Sequence, residues 1–218
     1  MSARAVVFDL DGVLVTTDEL HFRAWKAMAD RERIPFDREI NHRLRGVGRM
    51  ESLAIILEQA PRAYSQEERE QLAAMKNELY RASLQQIGAS AILPGVIKLL
   101  DGLDALGVPY AVASSSRNAR LILERTGLLS RMAAVVDGND ITRSKPDPEV
   151  FLVAAERLGF PPRLCVAVED ADSGVEAALK AGMRVLGVGP ADRVGKAHRT
   201  VLSLRAIDAH ELVTLVQD

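Results

Sequence analysis

The stretch Ala5-Val6-Val7-Phe8-Asp9-Leu10-Asp11-Gly12 decides the fold. Its apolar run is too short for a typical helix, is rich in Val and Phe, and stops at a glycine. It lacks the alternation of a half-exposed strand, so it predicts a strand buried on both faces, as in a parallel sheet. Similar short runs recur at Tyr110–Ala113, Ala133–Val136, Leu164–Val168 and Arg184–Val188. Helical spacing fills the intervals. Val96, Leu99, Leu100, Leu103 and Leu106 form one apolar stripe, ended by Gly107. Leu121–Arg125 is followed by Gly127, Val150–Leu158 by Gly159, and Ser173–Ala181 by Gly182. A glycine just past a periodic segment is a helix C-terminal signal. The repeating unit of helix, glycine and short strand predicts an α/β fold, a doubly wound (Rossmann-like) parallel-sheet core.

One segment breaks that rhythm. From Thr17 to Leu93 there is no convincing strand, only helical stripes: Phe22, Trp25 and Met28–Ala29; Leu53, Ile56, Leu57 and Ala60; Leu72, Met75, Leu79 and Ala82. An all-helical domain over 17–93 is therefore expected as an insertion into a core made of 1–16 and 94–218. Its connections would lie near Val15–Thr17 and Ser90–Pro94. The stripes predict packing cores, and Gln66–Arg69 a solvated charged face.

Composition narrows the class of function. Of 218 residues, 48% are hydrophobic and 27% charged, which suits a globular chain rather than a disordered one. A formal charge of -2 gives no electrostatic reason to expect nucleic acid or an anionic membrane as partner. The single cysteine, Cys165, allows neither an internal disulfide nor a cysteine zinc cluster. No apolar stretch approaches the ~20 residues of a membrane helix, and the start of the chain does not read as a secretory signal. A cytoplasmic monomer is the expectation.

Four polar clusters stand where the expected strands end: Asp9 with Asp11; Ser114, Ser115 and Ser116; Lys145 in Ser144-Lys145-Pro146-Asp147-Pro148; and Glu169 with Asp170. The carboxyl ends of strands in an open α/β sheet border the crevice where ligands bind. Each cluster alone reads equally well as a cap or turn; four of complementary chemistry do not. Asp9, Asp11 and Asp170 together would be unfavourable without a cation, and Mg²⁺ suits oxygen ligands beside a phosphate. The ion, Lys145 and a serine hydroxyl would then offset the charge of a transferring phosphoryl group. One carboxylate can attack phosphorus to give an aspartyl-phosphate. The other can give a proton to the leaving oxygen or take one from an incoming hydroxyl.

Phe8-Asp9-Leu10-Asp11-Gly12-Val13 resembles the first motif of the haloacid dehalogenase superfamily of phosphotransferases, with Ser114, Lys145 and Glu169–Asp170 similar to its second, third and fourth. The resemblance implies that Asp9 is the nucleophile and Asp11 the general acid/base. It implies Mg²⁺ held by the Asp9 side chain, the Asp11 backbone carbonyl and Asp170, with Glu169 in support. Within the superfamily, His21-Phe22-Arg23-Ala24-Trp25-Lys26-Ala27 resembles the first cap helix of the β-phosphoglucomutase branch. Arg45-Gly46-Val47-Gly48-Arg49 with Glu51-Ser52-Leu53 resembles that branch's specificity loop, and Lys76-Asn77, Tyr80 and Ser114–Asn118 are also similar. The implied reaction interconverts glucose phosphates, so the implied partner is a small phosphorylated sugar.

The same resemblance implies substrate contacts from His21, Trp25, Gly46, Val47, Arg49, Ser52, Lys76, Ser115, Ser116, Arg117 and Asn118. Arg49 would grip the distal phosphate with help from Ser116, Arg117 and Asn118; His21 would link the cap to Asp11; and Thr17 would sit at the hinge. Thr16 stands where the branch pattern carries an aspartate, and Arg117 where it carries a lysine. The rival reading is a Mg²⁺-dependent sugar-phosphate phosphatase of the same superfamily, in which water discharges the phospho-aspartate. A non-catalytic sensor and a dehalogenase fit less well, since Asp9, Lys145 and the acidic fourth cluster are all in place.

Overall fold

The computed structural model describes residues 5–44 and 47–215. Strand β1 (Ala5–Phe8) leads into α1 (Asp18–Arg31), α2 (Arg38–His42), α3 (Arg49–Leu57) and α4 (Gln66–Leu84). Then follow α5 (Val96–Ala105), β2 (Tyr110–Ala113), α6 (Ala119–Thr126), β3 (Ala134–Val136), α7 (Glu149–Leu158) and β4 (Cys165–Glu169). The described chain ends with α8 (Asp172–Lys180), β5 (Arg184–Val188), α9 (Ala191–Val194), β6 (Arg199–Val201) and α10 (Ala209–Thr214). No helix among the described residues is long and apolar enough to cross a membrane.

The six strands among the described residues are all parallel, in the order β3-β2-β1-β4-β5-β6. Alternation of side chains along each strand sends Val6, Phe8, Val112 and Val166 to one face. There they pack with Leu99, Leu100 and Leu103 of α5, Ile122 of α6 and Leu212 of α10. Ala5, Val7, Ala111 and Ala167 face the other way, onto Val150, Phe151 and Ala154 of α7 and Val175 of α8. Burial on both faces explains why the strands carry continuous apolar runs. The four expected helix stops hold: Gly107, Gly127, Gly159 and Gly182 all have positive φ, between 63° and 81°. The sixth strand, β6, is absent from the sequence reading. Arg199-Thr200-Val201 is short, half polar and at the sheet edge, so it carries no apolar run to find.

The helical insertion has its own cluster, built from Trp25, Met28, Ala29, Phe36, Leu53, Ile56 and Leu72. One expectation needs correcting. Leu79, expected in the α4 stripe, is 40% exposed, and Ala82 is exposed too. The buried stripe of α4 is instead Leu72, Ala73, Lys76, Tyr80 and Leu84. A lysine in the middle of that stripe masks its period. Leu72 and Ala73 join the insertion's cluster, whereas Tyr80 and Leu84 join the sheet's. The two connections run side by side: Val15 and Ile92 form an antiparallel bridge, Thr16 N donates to Ala91 O at 2.9 Å, and Leu93 N donates to Leu14 O at 2.9 Å.

Candidate active site

Strand β1 lies between β2 and β4, where the strand order reverses, so the crevice beyond its carboxyl end is the expected binding place. Asp9 leaves the end of β1 and is fastened there by its N–H donating to Val168 O at 2.9 Å. Glu169 ends β4 and Ser114 follows β2. Lys145 comes from the loop before α7, and its Nζ donates to Asp9 Oδ1 at 2.5 Å, Glu169 Oε1 at 2.6 Å and Ala113 O at 3.1 Å. Glu169 Oε2 accepts from Asp170 N at 2.7 Å and Ala171 N at 2.9 Å. Both Glu169 oxygens are thus engaged by the protein.

Carboxylate oxygens of Asp9, Glu169 and Asp170 lie within 4.8 Å of one another, and all three residues are buried. Burial pushes the Asp9 carboxyl well above the ordinary range; Lys145 pulls it back, and the charges of Glu169 and Asp170 add to the rise. Burial alone would lower the Lys145 ammonium, but Asp9 and Glu169 raise it above the usual lysine value. Arg193 Nη2 stands 3.9 Å from Asp170 Oδ2, beyond hydrogen-bond length. Gly12 lets the loop close over this cluster. Its φ is 93°, and a Cβ there would sit 2.3 Å from Asp170 Oδ2, so only glycine fits both the backbone and the space.

Asp11 faces the insertion. Its Oδ1 accepts from Thr17 Oγ1, which in turn accepts from the Tyr80 hydroxyl of α4 at 3.1 Å. Burial pushes the Asp11 carboxyl up to about 6 against the opposing Thr17 hydrogen bond. His21 does not make the expected link to Asp11. Its Nδ1 shares a hydrogen bond with Lys76 Nζ at 2.9 Å, and its ring lies 4.0 Å from that of Tyr80. The connection from α4 to Asp11 runs through Tyr80 and Thr17. Burial, then the charges of Lys76 and Arg49, holds His21 well below the usual histidine range. Lys76 is caged by the rings of Trp25 and Tyr80, each 4.7 Å from Nζ. Burial and Arg49 lower its ammonium to about 7, with Asp11 opposing.

One cavity of about 500 Å³ gathers most of the expected residues. Asp9, Asp11, Ser114, Lys145 and Asp170 line it, together with His21, Trp25, Val47, Arg49, Ser52, Lys76, Ser115, Ser116, Arg117 and Asn118. Gly46 lies outside the described residues. Burial, then the charge of Arg117, holds Arg49 below the usual arginine range. Ser114 Oγ accepts from Ser116 N at 3.1 Å and Ser116 Oγ from Asn118 N at 3.2 Å. Asn118 Nδ2 donates to Asn77 Oδ1 of α4 at 3.0 Å, a contact between insertion and core. Ser115 Oγ is buried without a hydrogen-bond partner among the described residues, which leaves a hydroxyl for a ligand.

The model of the haloacid dehalogenase-like hydrolases matches residues 3–182. The chain belongs to that family. This haloacid dehalogenase-like chain is 43% identical over 188 residues to β-phosphoglucomutase of Bacillus subtilis, covering 85% of the one and 83% of the other. The crystal structure of β-phosphoglucomutase from Clostridium difficile superposes with a TM-score of 0.93 at 32% identity, covering 99% of this chain and 97% of that one. A phosphorylated carbohydrates phosphatase of Thermotoga maritima is 31% identical over 218 residues, covering 98% of each. The family's core sheet and this chain's six-stranded sheet agree, and the chain is an enzyme of the superfamily.

The cluster of this haloacid dehalogenase-like chain suits a hard divalent ion. Three buried carboxylates gather where one buried lysine pairs with only two of them, Asp9 and Glu169, and burial, with the charges of Glu169 and Asp170 adding to it, disfavours the charged form of Asp9. Several cavity residues escape sequence reasoning, among them Asp18, Gly138 and Thr142, while Glu51 and Ser144 stand within quoted motifs without an assigned role. Gly48, quoted in the specificity-loop motif, shows its reason in three dimensions: a Cβ there would lie 2.4 Å from Glu51 Oε2 and 2.6 Å from Ser144 Oγ, where the insertion meets the core.

Proposed function

We propose that this enzyme is a β-phosphoglucomutase. It interconverts β-D-glucose 1-phosphate and glucose 6-phosphate through β-glucose 1,6-bisphosphate, with an aspartyl-phosphate on Asp9. The observation that carries this reading is a single cavity lined both by the Asp9–Lys145 cluster and by Arg49 with Arg117. A sugar with a phosphate at each end needs two anion sites in one enclosure. Similarity to the two β-phosphoglucomutases supports the reading, and the phosphatase from Thermotoga maritima supports the rival one.

Asp9 attacks phosphorus, the bond to the sugar oxygen breaks, and Asp11 gives its proton to that oxygen. In the reverse direction a sugar hydroxyl gives its proton to Asp11 as it takes the phosphoryl group from Asp9. Mg²⁺, held by the Asp9 side chain, the Asp11 carbonyl and Asp170 with Glu169 beside them, would offset negative charge on the phosphoryl oxygens. Lys145 and Ser114 serve the same end from the protein. Arg49 grips the far phosphate, and Ser115, Ser116, Arg117 and Asn118 complete that end. His21, Trp25, Val47, Ser52 and Lys76 form the sugar-facing wall of the insertion, 17–93, which acts as a cap over the core of 1–16 and 94–218. Thr17 is the hinge residue, joined to both Asp11 and Tyr80. The cap excludes water so that the bisphosphate is retained rather than hydrolysed.

Product analysis tests this. With β-glucose 1-phosphate and a trace of the 1,6-bisphosphate, glucose 6-phosphate is the expected main product. Inorganic phosphate as the main product would establish the phosphatase instead. Arg49→Ala should lower mutase turnover far more than hydrolysis of acetyl phosphate, which has no distal phosphate. Equal losses in the two assays would remove Arg49 from the far-phosphate site.

A further inference from the structure

We infer that the turn Asp137–Asp140, just after β3, is a positioning platform for the distal phosphate site and that Asn139 is its contact residue. This rests on the proposed role of Arg117 and deepens it. Arg117 is exposed and lies in the short loop between β2 and α6, whose backbone the Ser114 and Ser116 hydroxyls hold from within. A second support comes from the neighbouring strand end. Gly138 N donates to Ser116 O at 3.2 Å, and Asn139 Nδ2 donates to Arg117 O at 3.2 Å. A Cβ on Gly138 would lie 2.5 Å from Ser115 O, 3.0 Å from Arg117 Cγ and 3.2 Å from Arg117 N. Three consecutive residues of the proposed phosphate loop therefore rest on Gly138 and Asn139.

The platform is itself anchored. Asp137 is 2% exposed, and its Oδ1 accepts from Asn139 N at 2.8 Å and Asn139 Nδ2 at 2.9 Å. Asp140 Oδ2 accepts from Asp137 N at 2.9 Å, and Asp140 Oδ1 from Arg157 Nη2 of α7 at 2.6 Å. Arg157 Nη1 also donates to Val135 O of β3 at 2.7 Å. The Asn139 amide thus spans a carbonyl of the phosphate loop and a buried carboxylate tied back to the sheet. Asn139 touches no substrate in this scheme; it acts through Arg117.

The test compares Asn139→Ala, Arg117→Ala and the double variant, each assayed with β-D-glucose 1-phosphate (with a trace of the 1,6-bisphosphate) and with acetyl phosphate. Asn139→Ala should raise KM for the sugar phosphate about three- to tenfold, as expected for a lost positioning hydrogen bond, with kcat on acetyl phosphate unchanged within about twofold. In the Arg117→Ala background the same change should cost little further, because its effect passes through Arg117. If Asn139→Ala costs as much without Arg117 as with it, or slows both substrates alike, the platform role is overturned. If Arg117→Ala itself leaves the sugar phosphate unaffected, the distal-phosphate reading of Arg117 fails instead.

Discussion

Lys145 is the residue on which the charge balance of the site turns. Its ammonium touches two carboxylates and a backbone carbonyl in a place almost closed to water, so removing it would leave Asp9 and Glu169 facing each other unscreened. Asp9 and Asp11, two positions apart, have different surroundings: the first faces Lys145, the second Thr17. In the proposed reaction that difference lets Asp9 attack while Asp11 handles the proton. Asp9→Asn should abolish turnover and any acid-labile phosphate on the protein, because an amide is a poor nucleophile. Asp11→Asn should keep sugar-phosphate binding while slowing transfer by about 10²–10⁴-fold, the usual worth of a positioned proton donor. Single-turnover measurements beside a binding titration separate the two effects.

At the level of elements, α4 shows a conflict between stability and function. Its buried stripe contains Lys76, 3% exposed and lowered from 10.5 to about 7. Between those two values the unfolded chain holds a proton that the folded chain does not, so the penalty grows as pH falls from 10.5 and is complete below about 7. Lys76→Met should therefore melt higher than the wild type at neutral pH, by about 2–4 °C for each kcal/mol recovered, with the gap closing as pH approaches 10.5. The same variant should lose sugar-phosphate turnover. Melting curves at several pH values check the first statement. The helix also shows what sequence can reveal. Five strands and four glycine stops were legible because double burial and left-handed caps leave plain marks. The α4 stripe is hidden because its central member is a cation, and β6 leaves no mark because an edge strand needs few apolar residues. Asp9, Asp11 and Glu169 can be found by their placement after apolar runs, whereas Lys145, in the loop before α7 well past the end of β3, is found only by its motif. Asn139 and Gly138 can be found neither way, since their partners are backbone atoms of another loop.

For the whole molecule, the sheet order joins residues remote along the chain: Lys145 reaches Asp9 across 136 positions. A divalent ion bound by such residues stabilises only the folded state. Mg²⁺ should stabilise the folded state by about 2.7 kcal/mol at a hundredfold excess over Kd, and raise the melting temperature with its concentration accordingly. Asp170→Asn should blunt that rise, and a chelator should reverse it. Calorimetry with and without the ion reads both.

Because β1 sits at the centre and its neighbour β4 is made last of the two, biosynthesis leaves a sticky interval. A nascent chain that has not reached Cys165 carries Val6, Val7 and Phe8 beside an open backbone edge, with the helical insertion already emerged from the ribosome. During that interval the hydrophobic strand can mispair with other chains, and its protection depends on how quickly translation delivers the next hundred and more residues.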